Sequence, residues 1–362
     1  MTNNNSNAKI DDVQVLRACA ILMVITYHAR VIWPYIPESF QHGFTGVNLF
    51  FVISGFVITR SSIESASTMS FPQFWGTFML KRLFRIVPAA GIWLLIYYGA
   101  FLLVNANLIS EIRKIVTLTY NYQKAGSSPF WLGHYWSLIV EEHFYIVFAL
   151  ILPFIVKRKL VVPFCMLLIV ITIIFLRPFA ANPSSNTQAQ LDYFATGILI
   201  AYFGNAVRTD IPRYLLMAIA TTALVALFVL FAYKVHEAYT VCMILAAIIV
   251  AIGAADQNII FPIPILRTIL IWIGERSYSI YLSQSLVIYA EYWFSENTRW
   301  GIIPAPLRII FLLCLIFLSG HASYLWIEIN ADKLRKKLLL WIERRRTSPT
   351  NEVFIQETGQ PK

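Results

Sequence analysis

Long apolar runs separated by short polar breaks dominate this chain of 362 residues. A helix that crosses a bilayer needs about 20 mainly apolar residues, and about ten runs of that kind follow one another here. The runs cover 13–33, 44–62, 83–104, 134–156, 160–177, 189–206, 213–233, 238–254, 276–294 and 303–327. The pattern predicts an all-α fold, a polytopic membrane helical bundle of about ten transmembrane helices.

Composition agrees with a membrane protein. Hydrophobic residues make up 58% of the chain and charged residues only 13%, whereas about a quarter of the residues in a soluble domain are charged. The first residues, Met1 to Asp12, are polar, and the apolar run after them lacks a small-residue cleavage site, so the first helix is expected to stay. With a cytoplasmic N-terminus, most of the 29 Lys and Arg residues face the cytoplasm. The positive-inside rule therefore places both termini there.

The net charge of +10 raises the question of a nucleic-acid partner. Most of the excess lies in short loops on the cytoplasmic side and in a basic tail, where anionic lipid headgroups account for it. The four cysteines stand singly in apolar surroundings, without the paired spacing of a zinc site. The expected partners are membrane lipids and not nucleic acid, and no metal is predicted.

The chain is predicted to be one integral-membrane domain over residues 1–332. A basic cytoplasmic tail follows at 333–362 and is expected to be partly disordered. No fused soluble module is expected, because no polar segment is long enough to fold outside the bilayer. The longest external stretch, 105–133, is rich in turn residues, and its middle, from Leu108 to Tyr122, is compatible with a short surface helix.

Charged groups inside a bilayer are costly, so each one is a functional candidate. Arg17 and His28 both lie in the first run. Eleven residues bring a helix back to nearly the same face, which places the two side chains roughly 16 Å apart along one stripe. A snorkelling arginine and an interfacial histidine are the ordinary alternative. The shared face favours a common function.

Two further motifs precede the middle of the chain. Ser54-Gly55 lies inside an apolar run, where small residues let two helices approach closely. Packing is favoured here over a nucleophilic Ser54. Arg82 and Arg85 are three residues apart on one helical face, and guanidinium groups bind phosphate with two hydrogen bonds. That pair suits a phosphorylated ligand, although ordinary positive-inside residues give the same pattern.

The adjacent acids Glu141 and Glu142 lie near the start of the fourth run. Packing does not explain two carboxylates there. A buried glutamate either pairs with a base or has a raised pKa. A contact between Glu142 and His28 would form a carboxylate–imidazole pair, the arrangement that orients a general base.

Five motifs, in this order, resemble the acyltransferase-3 family of membrane acyltransferases, which includes O-antigen and nodulation-factor O-acetylases. The motifs are Leu16 to His28, Gly46 to Phe56, Lys81 to Pro88, Trp136 to Tyr145 and Gly274 to Leu282. Each is weak alone, but five in order within a ten-helix plan are specific.

The chain departs from the family pattern at several points. Asn48 stands where aspartate is common, and Gln284 follows the late Tyr-Leu motif where a histidine is frequent. Glutamine cannot act as a base, so Gln284 is assigned at most to substrate binding. Many family members also carry an extracytoplasmic esterase-like domain, which is not recognised here.

The resemblance implies an O-acyltransferase that moves an acyl group, most simply acetyl, from cytosolic acyl-CoA to a hydroxyl of a cell-envelope or lipid-linked glycan. It also implies a multi-pass location in the bacterial inner membrane. His28 is expected to be the general base, oriented by Glu142 or Glu141, and an acyl-histidine intermediate is the alternative. The acyl-CoA ligands are expected to be Arg17, Arg82 and Arg85. The acceptor-binding residues are expected to be Trp136, Tyr278, Tyr281 and Gln284.

The rival class is a polytopic transporter or flippase. Intramembrane charges and many helices suit it, and proton-coupled transport also uses His–Glu pairs. The distribution of the charges favours the enzyme, because cations suited to an anionic carrier lie on one side and a base on the other. The sequence leaves open which hydroxyl is acylated, the acyl chain and the oligomeric state.

Overall fold

The computed structural model describes residues 9–30, 32, 43–103, 108–123, 130–204, 211–229 and 237–347. Within these ranges the chain consists of helices and irregular connections, with no β-strand, which confirms the all-α prediction. The α-helices are α1 (Asp11–Ala29), α2 (Thr45–Thr68), α3 (Phe71–Leu102), α4 (Ile109–Val116), α5 (Tyr135–Lys157), α6 (Val161–Ile171), α7 (Leu191–Phe203), α8 (Arg213–Val229), α9 (Glu237–Ala254), α10 (Pro264–Glu275), α11 (Ser277–Asn297), α12 (Ala305–Ser323) and α13 (Ile329–Thr347).

Among the described residues, five helical segments are long and apolar enough to cross a membrane. They are α1, α2, α3, α5 and the continuous rod from Ala305 to Arg344, which joins α12 to α13. Shorter apolar helices cover Val161–Leu176, Arg213–Val229 and Ala238–Ala254. A helical membrane bundle is therefore supported, while the number of ten spans and the side of the termini stay predictions.

Three connecting regions refine the sequence-based picture. The expected short helix between Leu108 and Tyr122 is present as α4. The apolar-run pattern missed α10, because its 12 residues are too few to cross a bilayer. α13 crosses the predicted domain boundary at 332 without a break. The expected disorder of the tail concerns 348–362, which lie outside the described residues.

The helices form an inner and an outer layer. In the apolar windows of α1 and α2, 72% and 67% of the residues are buried, against 22% for α3 and for the Ala305–Arg344 rod. α1 packs against α2, α9, α10 and α11, and α2 makes its largest contact with α7. Polar residues such as His28 on α1 and Asn48 on α2 are therefore buried within the protein.

The contact between α2 and α7 depends on two glycines. A Cβ atom on Gly55 would clash with the backbone carbonyl of Phe194, and one on Gly197 would clash with the carbonyl of Val52. The two helices therefore touch backbone to backbone, as small residues at membrane-helix contacts permit. This confirms the packing interpretation of Gly55.

Alanine at Gly55 or Gly197 is expected to lower the free energy of unfolding by about 1–3 kcal/mol, because the added methyl group forces the two backbones apart. Gly91 on α3 is the matched control, since a Cβ atom there meets no atom within 4 Å. Gly91→Ala should be neutral or slightly stabilising, because alanine suits a helix interior better than glycine. Thermal unfolding in detergent measures all three variants. Equal midpoints for Gly55→Ala and Gly91→Ala would contradict the close contact.

Candidate active site

A cavity of about 610 Å³ lies between α1, α2, α3, α5, α11 and the α12–α13 rod. Its volume is within the range of small-molecule and cofactor sites. Six of the ten residues predicted as site residues line it: Arg17, Arg82, Arg85, Glu141, Tyr278 and Tyr281. The long-range folding of four separate helices, α1, α3, α5 and α11, therefore brings most of the predicted chemistry to one place.

Two of the three arginines have no carboxylate in direct contact among the described residues. Arg17 donates a hydrogen bond from Nε to the Ser277 hydroxyl at 3.2 Å. The Arg82 guanidinium lies 5.6 Å from the ring centres of both Phe78 and Tyr145. Neither arginine forms an ion pair with a carboxylate in the described part of the chain. Both are therefore positioned to bind an anion in the cavity.

Arg85 differs, because it is already paired. Its Nη1 lies 2.5 Å from Oε2 of Glu328, and the other oxygen of that carboxylate accepts a hydrogen bond from Ser279 at 2.5 Å. Glu328 ends a π-helical turn, Tyr324–Glu328, that connects α12 to α13. Such turns are frequent at functional sites. Tyr324 and Glu328 both line the cavity.

Glu328 is a site residue that sequence reasoning missed. A signal was present, since an acid at the end of the last apolar run is as costly in a bilayer as the acids that were singled out. The sequence did not reveal that Arg85 would be its partner, because the two residues are 243 positions apart.

Glu141 faces the cavity through a small hydroxyl network. Its Oε1 accepts a hydrogen bond from Ser54 at 2.5 Å and another from the hydroxyl of Tyr145. Ser54 therefore holds a carboxylate rather than standing alone as a nucleophile. Glu142, the next residue on α5, points about 100° away around the helix. It does not line the cavity.

His28 is buried and lies outside the cavity lining. Its Nδ1 lies 2.7 Å from Nε2 of Gln284, which also donates to Ser285 at 2.8 Å. Gln284 is three residues after Tyr281 on α11, so it lies about one helical turn further along. The hydroxyl of Tyr281, at the wall of the cavity, is 2.6 Å from the hydroxyl of Ser137. His28 is thus one turn of α11 away from the cavity lining.

The expected contact between Glu142 and His28 is absent. Within the described residues no hydrogen bond or ion pair joins them, and Oε1 of Glu142 is buried without a partner. The physical reason is that α11 supplies Gln284 to the imidazole, whereas Glu141 occupies the face of α5 that turns towards the cavity. Trp136 also lies outside the cavity lining, with its ring edge-on to Phe51 at 6.0 Å.

Sequence reasoning also missed His134, the residue before α5. Its side chain is buried, and its ring centre lies 5.6 Å from that of Tyr281. Its backbone carbonyl accepts a hydrogen bond from the Tyr281 hydroxyl at 2.9 Å. A histidine two residues before Trp136 was the available signal. His134 thus fixes Tyr281 at the wall between the cavity and His28.

Residues 10–323 match a family model described as an acyltransferase domain. The chain is 24% identical over 379 aligned positions to the O-acetyltransferase OatA of Staphylococcus aureus strain MRSA252, covering 94% of this chain and 60% of that protein. It is 24% identical to the O-acetyltransferase OatA of Staphylococcus aureus strain NCTC 8325 / PS 47, with the same coverage. The chain therefore spans less than two thirds of the length of these relatives. No solved structure matches it significantly.

Proposed function

This chain belongs to the acyltransferase family whose model it matches, and from that premise we propose that it is a membrane O-acyltransferase. In this proposal it transfers an acyl group, most simply acetyl, from cytosolic acyl-CoA to a hydroxyl of a cell-envelope or lipid-linked glycan. The proposed location is the inner membrane, with multiple spans and both termini in the cytoplasm.

The observation that carries the proposal is the polarity of the cavity. Its lining carries the exposed Lys333 and the half-buried Lys81, Arg17 and Arg82, and none of these four cations forms an ion pair with a described carboxylate. The buried His28 lies outside this lining, against Gln284. An acyl-CoA has the matching polarity, since its charged nucleotide end and its neutral thioester are separated by a narrow arm. Arg17 and Arg82 are proposed to bind the pyrophosphate, with Arg85 held in place by Glu328.

The proposed chemistry is a direct transfer. His28 removes the proton from an acceptor hydroxyl as the oxygen attacks the thioester carbonyl. The carbon–sulfur bond then breaks, and the imidazolium returns the proton to the departing thiolate. Gln284 orients the imidazole through the 2.7 Å contact between its amide Nε2 and Nδ1 of His28. Transfer through an acyl-histidine intermediate uses the same residues.

The remaining site residues receive supporting roles. Glu141 is proposed to offset part of the positive charge of the three arginines. Glu142 is proposed as the base only if transfer persists when His28 is replaced. The Tyr278 hydroxyl donates a hydrogen bond to the backbone carbonyl of Ile86 at 2.8 Å. Because Tyr278 also lines the cavity, it is proposed to contact the donor arm. Tyr281, Gln284 and Trp136 lie towards the end of the bundle where His28 is placed, and they are proposed to contact the acceptor.

Purified protein in lipid, incubated with radiolabelled acetyl-CoA and total envelope polysaccharide, tests the function. Movement of the label into the glycan is the expected result. The rival reading as a transporter or flippase predicts no covalent transfer, together with movement of a solute across sealed proteoliposomes. That outcome would overturn the proposal.

Arg82→Ala is expected to raise KM for acetyl-CoA about 10- to 100-fold, because one charge-assisted contact with the donor is lost. Arg82→Lys should recover only part of the affinity, since lysine cannot make two parallel hydrogen bonds to phosphate. Arg158→Ala, an exposed arginine just after α5, is the matched control and should leave KM unchanged. Initial rates against acetyl-CoA concentration provide the measurement. An unchanged KM in Arg82→Ala would remove Arg82 from the donor site.

A further inference from the structure

Part of the cavity lining comes from α13, which lies beyond the residues that match the family model. Lys333 and Lys336 of this helix line the cavity and are exposed, so this side of the lining is called its mouth. α13 packs against α3 and contributes Asp332, Lys333, Arg335 and Lys336 to the lining. The match to the family model thus ends before this part of the cavity lining.

Cations outnumber anions at this mouth. Asp332 is shared between Arg335 and Lys336, with its Oδ2 2.8 Å from the ammonium of Lys336. Lys333 and, on the facing helix α3, Lys81 form no ion pair with any described carboxylate. Lys81 is also within range of charge repulsion from Arg82 and Arg335. A cation within electrostatic range of two others, as Lys81 is of Arg82 and Arg335, indicates an anion-binding site.

The charge pattern separates this mouth from the interior. Arg17 and Arg82 are half-buried cations of the lining, whereas Lys333 is exposed and Lys81 on α3 lies within electrostatic range of Arg335 on α13. In a CoA molecule the pyrophosphate lies on the arm, and the phosphomonoester on the ribose lies at the far end. That phosphomonoester carries about −1.5 to −2 charges at neutral pH, more than either phosphate of the pyrophosphate. The outermost and strongest anion would thus meet the outermost group of cations.

We infer that Lys81, Lys333 and Arg335 form a subsite for the ribose 3′-phosphate of the CoA donor, built between α3 and α13. This inference rests on the proposed function, because it assigns one end of the same donor. It gives the enzyme a means to recognise CoA by its nucleotide end and not only by its thioester. A lipid headgroup phosphate has the same chemistry and is the competing occupant.

Binding of CoA and of 3′-dephospho-CoA to the full-length protein in nanodiscs tests the inference. The two ligands differ only in the phosphomonoester. The wild type is expected to bind CoA about tenfold more tightly, which is the effect of one charge-assisted contact. Lys333→Ala and Arg335→Ala should each reduce this preference severalfold without changing the affinity for 3′-dephospho-CoA. Lys337→Ala removes an equal charge from an exposed position of α13 outside the cavity, and it should leave both affinities unchanged.

The contrary outcomes are distinct. Equal binding of both ligands by the wild type would overturn the subsite, and acetyl transfer by that same preparation would keep the proposed function. If Arg335→Ala weakens the binding of both ligands equally, Arg335 stabilises α13 and does not recognise the phosphomonoester. The preference for CoA is expected in neutral and in anionic lipid alike. Its loss in anionic lipid would assign the three cations to a headgroup. A preference for CoA without any acetyl transfer would support the subsite and overturn the proposed function.

Discussion

Replacing His28 with alanine is expected to lower the rate of acetyl transfer about 10²- to 10⁴-fold, the usual contribution of a general base. The imidazole is buried, it is held by Gln284 at 2.7 Å, and it lies on the same helix as Arg17 at the opposite end of the proposed donor path. KM for acetyl-CoA should change little, because the donor phosphates are bound elsewhere. The measurement is the initial rate of label transfer at saturating acetyl-CoA.

Two companion variants sharpen this test. Gln284→Leu removes the hydrogen bond to Nδ1 but leaves the base, so it should cost less than His28→Ala and should shift the pH profile of the rate. His143→Asn is the control, because His143 binds Thr187 at 2.7 Å and lies outside the cavity lining. Full transfer by His28→Ala would remove His28 as the base, and Glu141 and Glu142 would become the candidates.

The sequence predicted the elements of the fold better than their mutual arrangement. Each apolar run carries its own evidence, since length and hydropathy are local properties. α10 was not predicted because it is amphipathic and short. Pro264 in its first turn is the main sign of a helix start. The close contact between α2 and α7 was foreseen at Gly55, but its partner Gly197 was not. Nothing local in a sequence states which distant glycine a helix will meet.

The same distinction applies to the site. Intramembrane cost identified Arg17, Arg82, Arg85 and Glu141, which do line one cavity. Pairing could not be predicted, because it depends on how each helix is rotated about its axis. A turn of 100° on α5 decides that Glu141 and not Glu142 faces the cavity. The partner of His28 comes from α11, 256 positions away, at the site where the family resemblance had already marked a departure.

Breaking the ion pair between Arg85 and Glu328 is expected to cost more stability than any exposed charge in the chain. The Glu328 side chain is 4% exposed and the Arg85 side chain 38%. Loss of Arg85 therefore leaves a buried carboxylate with only Ser279 as a partner. Fully buried pairs cost about 3–5 kcal/mol when one member is removed. Because Arg85 is partly solvated, about 2–3 kcal/mol is expected for Arg85→Met, with a matching fall in the thermal midpoint.

The double variant Arg85→Met, Glu328→Leu separates structure from function. Replacing both partners with apolar groups removes the uncompensated charge, so most of the lost stability should return. Acetyl transfer should not return, because the cavity loses two charged groups that act on Arg17, and Arg85 on α3 and Ser279 on α11 no longer donate hydrogen bonds to the end of the π-helical turn. Thermal unfolding and initial rates on the same preparations give both quantities. If the double variant recovers both stability and transfer, the ion pair has only a structural role. Failure to recover either would show that the pair is needed for the fold around the cavity.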